Sequence, residues 1–143
     1  MYSTKYVKPN STTEALEAIK SLGEGKFLAG GMTLIPTLKQ RLASPDGLVD
    51  ISGCKLDSIA DEGETLKIGA MARHVSVAES AAVKKAIPAL AKLADGIGDR
   101  QVRNRGTIGG SVANNDPSAC YPSAVLALNC LLYTSDAADD TRS

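Results

Sequence analysis

The sequence predicts an α+β fold, on two observations. In its first third an apolar run, a glycine pair, a helix-like segment and a second apolar run follow one another, "KFLAGGMTLIPTLKQRLASPDGLVDIS". That succession is the pattern of a small parallel βαβ unit. The style then changes to a hairpin-like stretch followed by short helical segments, so strands and helices are partly segregated along the chain.

Each element has its own signal. "STTEALEAIKSLG" reads as the first helix: Ser11 and Glu14 have capping-box spacing, Ala15, Ile19 and Leu22 share one face, and Gly23 is a stop. "KFLA" reads as a short buried strand. After Gly30 and Gly31, residues 33–42 read as a helix that tolerates Pro36 in its first turn. "GLVDIS" is the next strand. "LDSIADEGETLKIGA" reads as a β-hairpin turning at residues 61–64, where polar residues separate two β-compatible runs. Ser76 and Glu79 form a second capping-box pair and open a short helix. "AVKKAIPALAKLADGIG" continues helically, with Pro88 starting a new segment. Residues 100–115, rich in Gly, Asn and Arg, read as an irregular loop, and Pro122 opens a last helix through Leu128. No internal repeat is present. The final stretch, "CLLYTSDAADDTRS", continues no pattern and resembles translated sequencing-adapter read-through, so residues 130–143 are expected to be non-native or disordered; a natural polar tail is the plain alternative.

Composition narrows the function classes. The chain has 143 residues, room for one modest domain or two small lobes, and 43% hydrophobic content to build a core. With 16 basic and 16 acidic residues the formal net charge is zero, so no general electrostatic attraction draws it to nucleic acid or an acidic membrane. Four Tyr, one Phe and no Trp make base-stacking platforms improbable. Cys54, Cys120 and Cys130 are odd in number and widely spaced, and His74 is the only histidine, which argues against a disulfide frame, a zinc site and a His-rich metal site. "MYSTKYVKPN" lacks the apolar core of a signal peptide, and no apolar run is long enough to span a bilayer. A cytoplasmic location is the expectation.

The glycine pairs carry the functional question. A helix N-terminus after Gly30 and Gly31 would offer unpaired N–H groups with no side chain in the way of a phosphate, and Thr33 would add a hydroxyl. No lysine follows in the P-loop pattern and G-x-G-x-x-G is absent; a tight turn that only glycine can make explains the pair equally well. In "RGTIGGSVANNDPSACYP", Gly109 and Gly110 precede Ser111, Asn114, Asn115, Asp116 and Ser118. Amides near this second pair could approach another face of the same diphosphate, and Asn114 or Asp116 could bond a ribose, a ribityl chain or a ring edge. Ordinary turn chemistry is again the alternative. Two such pairs in one small chain favour a large two-ended ligand, and they should then face each other across one groove.

"AGGMTLIPTLK" and "GTIGGSVANNDPSACYPSAVLALN", in that order and with "LKIGAMARHVSVAES" between them, resemble the two flavin loops of the FAD-binding medium subunit of molybdenum hydroxylases, the xanthine dehydrogenase and carbon monoxide dehydrogenase group. The resemblance covers Tyr6 to about Asn129. It implies a two-lobed FAD-binding fold of the vanillyl-alcohol-oxidase (PCMH) type, with a small lobe at 1–52 and a second, incomplete lobe at 53–129. It implies that FAD lies between them. Leu28, Ala29, Gly30, Gly31, Met32, Thr33 and Leu34 would wrap its diphosphate. Thr107, Ile108, Gly109, Gly110 and Ser111 would meet it from the other side, with Asn114, Asp116, Ser118 and Cys120 at further contact positions. Many members of the group carry asparagine where Ser111 stands and aspartate where Cys120 stands, and some place an aromatic near the flavin where Ile97 stands.

The resemblance further implies an electron-transfer role. A molybdenum-cofactor large subunit oxidises the substrate, a small subunit with two [2Fe–2S] clusters relays electrons, and FAD on this chain passes them to an external acceptor, in a heterotrimer or a dimer of heterotrimers. No residue here then needs to act as acid, base or nucleophile, and no metal ligand is expected. His74 lacks a Ser, Cys or carboxylate partner and reads as a structural or surface histidine. Arg100, Arg103 and Arg105 form a basic patch that could face FAD phosphates, a partner subunit or only solvent. A self-contained flavin oxidase or reductase of the same fold, and a non-catalytic interaction module with degenerate flavin loops, are the competing readings.

Overall fold

The computed structural model describes residues 1–129; the expectation of a non-native tail falls on residues outside that range. Five strands and eight α-helices are described, a mixed α+β arrangement. The first half is a three-stranded parallel sheet in the order β1-β3-β2, made of β1 (Lys5–Val7), β2 (Gly25–Leu28) and β3 (Gly47–Asp50). Helix α1 (Thr12–Ser21) links β1 to β2, and α2 (Leu34–Lys39) links β2 to β3, giving the expected βαβ unit. The cap of α1 is as read: Ser11 Oγ accepts from the Glu14 N–H at 3.1 Å, while the Glu14 carboxylate accepts from the Asn10 N–H at 2.9 Å. Its apolar face rests on β3, where Ala15 and Val49 are buried with Cys54, and Ile19 and Leu22 pack around them.

Three expectations for this half need correction. "KFLA" is not a buried strand: β2 is an edge, and Phe27 is 45% exposed. The buried strand is β3, because it alone has a neighbour on each side. Helix α2 is shorter than residues 33–42, because Arg41 adopts a left-handed φ of 58° that no α-helix continues through. "GLVDIS" is a strand only to Asp50, whose carboxylate accepts from the Ser52 N–H and starts a 3-10 turn, Ile51–Gly53. Strand β1 has no expectation to match; its three residues are exposed and are held by parallel pairing to residues more than forty positions away.

The second half has its own core. Strands β4 (Ile59–Asp61) and β5 (Leu66–Ile68) form the predicted antiparallel hairpin. Its turn is closed by the Glu62 N–H on the Thr65 carbonyl at 2.8 Å, with Gly63 at φ 88°. Helices α3 (His74–Glu79), α4 (Ala81–Ala86), α5 (Pro88–Asp95), α6 (Arg100–Arg105), α7 (Ile108–Asn114) and α8 (Tyr121–Ala127) follow. Pro88 opens α5 as read. Ala72, Val77, Val83, Leu90, Ala94 and Tyr121 form the buried cluster.

Two readings fail here. Ser76 caps nothing, because α3 starts earlier: the His74 N–H is held by the Gly106 carbonyl at 3.0 Å, and Arg73 bridges to Thr107. The cap that does form is Ser80 on α4, accepting from the Val83 N–H. Residues 100–115 are not a loop but α6, a two-residue link and α7. Asp99 caps α6 by accepting from the Val102 N–H at 2.8 Å, and Thr107 caps α7 by accepting from the Gly110 N–H at 3.1 Å. Good caps outweigh the poor helix propensity of Gly109, Gly110 and Asn114.

Candidate functional site

The two glycine pairs meet. A groove of about 350 Å³ runs between the β2–α2 turn and the α6–α7 link. One wall is Ala29, Gly30, Gly31, Met32, Thr33 and Leu34. The other is Thr107, Gly110, Ser111, Asn114 and Asp116. Of the residues singled out from sequence, these eleven share the groove. Leu28, Ile108, Gly109, Ser118 and Cys120 stand outside it. Ile108 packs on the larger core, the Ser118 N–H folds back onto the Asp116 carboxylate at 2.9 Å, and Cys120 is exposed. His74, Ile97, Val102, Gly106, Ala113 and Ala119 complete the lining. His74 and Ile97 were singled out beforehand, though not His74 as a groove residue; Val102, Gly106, Ala113 and Ala119 had no sequence signal beyond proximity to the second pair.

The walls differ in the state of their backbone. The N–H groups of Gly30, Gly31, Met32 and Thr33 have no protein acceptor among the described residues. The Thr33 side chain caps nothing either. By contrast, the N–H of Ile108 donates to the Ala72 carbonyl at 3.0 Å and that of Gly109 to the Ala70 carbonyl at 2.8 Å. With Gly110 bound to Thr107, the second pair has no amide left to offer a diphosphate. That expectation is corrected: the α7 start is anchored to the 70–72 segment, and the second wall meets the groove with side chains.

The glycines are explained by close approach. A Cβ at Gly30 would collide with the carbonyl oxygen of Arg105, and one at Gly109 would lie 2.6 Å from the Ala70 carbonyl oxygen. Gly31 has φ 77°, which disfavours any residue with a Cβ, and a Cβ there would lie 2.9 Å from Ile35 Cγ1. What Gly30 and Gly109 leave room for, in the protein itself, is backbone from elsewhere in the chain: residues 105–106 against Gly30 and Ala70 against Gly109.

The lone histidine is buried on the groove floor and is not surface-exposed. His74 Nδ1 lies 3.2 Å from the Tyr121 hydroxyl, with ring centroids 5.2 Å apart. Burial pushes the imidazole below its ordinary pKa and the Tyr121 phenol above its own. Among the described residues no carboxylate is bonded to the ring, so no triad is formed there, and a structural role stands. Arg103 is also structural: its guanidinium donates to the carbonyls of Ile97 and Gly98 at 3.1 and 2.9 Å. Among the described residues no group of three or more His, Cys, Asp or Glu is placed to hold a metal ion, and no helix is long and apolar enough to cross a membrane.

The donor set suits FAD: four free amides on one side fit an anionic diphosphate, and a serine, an asparagine and an aspartate on the other fit hydroxyl-bearing or ring-edge groups. Comparison with known proteins agrees. Residues 2–143 match the family described as the FAD binding domain in molybdopterin dehydrogenase. The carbon monoxide dehydrogenase medium chain of Hydrogenophaga pseudoflava is 41% identical over 126 residues, covering 87% of this chain and 44% of that one. The glyceraldehyde dehydrogenase medium chain of Sulfolobus acidocaldarius is 38% identical over 133 residues, 92% of this chain and 47% of the other. A structure of the Hydrogenophaga pseudoflava carbon monoxide dehydrogenase lacking the Mo-pyranopterin moiety superposes with a TM-score of 0.86 at 41% identity, over 88% of this chain and 45% of that one. The chain thus spans less than half the length of these relatives. It belongs to the FAD-binding domain family of the molybdopterin dehydrogenases, a family of oxidoreductase subunits whose cofactor is FAD.

Proposed function

We propose that this chain is the FAD-holding part of an electron-transfer subunit in a molybdenum hydroxylase, with two lobes at 1–52 and 53–129 that close on the cofactor. The observation that carries the reading is the row of unengaged amides at Gly30, Gly31, Met32 and Thr33 along a groove faced by Ser111, Asn114 and Asp116. These amides donate to diphosphate oxygens, and the Thr33 hydroxyl adds a donor. Ser111 and Asn114 bond sugar or ribityl hydroxyls, and the Asp116 carboxylate accepts from a hydroxyl or ring N–H. The chain's own residues bind and orient; none moves a proton. The bound flavin supplies the redox chemistry, taking electrons from one centre and yielding them to another. Partners are a large subunit with the molybdenum cofactor and a small subunit with [2Fe–2S] clusters, in a cytoplasmic complex.

The test is titration of the flavin-free full chain with FAD, followed by flavin fluorescence. Thr33→Val keeps the shape and removes one donor, so affinity should fall roughly two- to tenfold, the worth of one hydrogen bond. Retained affinity in that variant would remove Thr33 from the site, and absence of any FAD binding by the full chain would refute the reading. Gly31→Val is a less clean probe, since the positive φ strains the backbone as well as blocking the groove.

A further inference from the structure

Four residues from distant parts of the chain form a column beneath the groove. Tyr121, on α8, is 1% exposed and touches His74 Nδ1 through its hydroxyl. His74, on α3, is 5% exposed and lies on Gly106, so closely that a Cβ at that glycine would be 2.5 Å from Nε2. The His74 N–H also holds the Gly106 carbonyl. Gly106 and Arg105 in turn lie under Gly30: a Cβ there would sit 3.0 Å from Gly106 Cα and collide with the Arg105 carbonyl. Each contact is tight enough that a shift of one member displaces the next.

We propose that His74, fixed by Tyr121, is a positioning residue that sets the height of the Gly106 backbone and thereby seats the Gly30 turn, whose free amides hold the cofactor. The proposal rests on the FAD reading for its last step only. The imidazole acts through Gly106 and touches no reacting atom. Its polar edge fixes the ring's rotation through the Tyr121 hydroxyl, which an apolar ring of similar size would leave free.

Three variants of the full chain test it. Tyr121→Phe removes one hydroxyl from a packed site; it should weaken FAD binding roughly two- to tenfold. Amide exchange should also quicken at Ile108 and at Ile35, whose N–H is held by the Gly31 carbonyl at 3.0 Å. Gly106→Ala drives a methyl group into the imidazole and should lower FAD affinity by about tenfold or more. Adding His74→Asn to Gly106→Ala frees that space and should restore most of the lost affinity, whereas His74→Asn alone weakens binding. Exchange is read without flavin, so it tests the column even should the parent chain bind no FAD, an outcome that would sink the cofactor reading alone. Unchanged exchange and affinity in Tyr121→Phe, or no recovery in the double variant, would overturn the column.

Discussion

Gly30 and Gly31 are adjacent but are required for different reasons, and substitutions should separate them. Gly30→Ala overpacks a backbone-to-backbone contact with Arg105, a change that costs about 1–3 kcal/mol. Gly31→Ala forces a Cβ into the left-handed region at φ 77°, also about 1–3 kcal/mol, but relief can come from the flexible Ile35 side chain. Urea midpoints should therefore fall for both, and the Gly30 variant alone should change the exchange of the His74 amide that Gly106 holds. Equal exchange in the two would count against a load-sharing contact at Gly30. His74 gives a second residue-scale prediction. Burial lowers its pKa from 6.5, so the native ring stays neutral in a range where the unfolded chain takes up a proton. The unfolded state binds more protons there, so this contribution to stability is complete above about 6.5 and is lost as pH falls toward the folded pKa. Urea midpoints measured from about pH 8 down to about pH 5 should decline on the acid side, and His74→Asn should flatten the decline. Curves of equal slope would show that His74 does not set it.

At the scale of elements, N-caps decide most of what was misread. Ser76 and Ser80 are both serines near the start of a helical run, and only Ser80 makes a capping bond. Ser80→Ala should cost about 1 kcal/mol, and Ser76→Ala close to nothing, as thermal unfolding of the two variants can show; a larger loss in Ser76→Ala would reverse the assignment. Asp99→Ala and Thr107→Ala should each cost about 0.5–2 kcal/mol for the same reason. Helix α1 and the β4–β5 hairpin were legible because their signals are local: a serine three residues before a glutamate, a polar turn between two apolar runs. Helices α6 and α7 were not, because their glycines and asparagines argue for a loop and the deciding bonds come from the single side chains of Asp99 and Thr107. Strand β1 was invisible for a different reason. Its residues are exposed and without alternation, and only pairing with β3 makes them a strand.

At the scale of the molecule, two hydrophobic clusters are joined through a contact that depends on backbone proximity. A ligand that touches both sides should bind the native state only, so FAD at about 100 times its Kd should stabilise the full chain by about 2.7 kcal/mol. A thermal scan with and without FAD measures this, and an unmoved midpoint at saturation would contradict binding across the groove. The convergence of the two glycine pairs was legible only as a demand for one shared ligand, since nothing local brings them together. Which groups remain free to bind was legible at the first pair and not at the second. The commitment of the Ile108 and Gly109 amides to Ala72 and Ala70 is a tertiary fact, fixed by the 70–72 segment lying against the start of α7.

The contact of Gly30 with Arg105 also sets an order in time. During synthesis the β2–α2 turn leaves the ribosome well before α6 and α7 exist, and its free amides then face only water. The seat is finished when Gly106 arrives beneath Gly30 and the side chains from Thr107 to Asp116 form the facing wall. Flavin capture thus waits until the residues from Gly106 to Asp116 have emerged. Stalled nascent chains ending before Thr107 should retain no flavin, whereas chains that extend past the second wall should; flavin on the stalled chains would show that the first turn suffices alone.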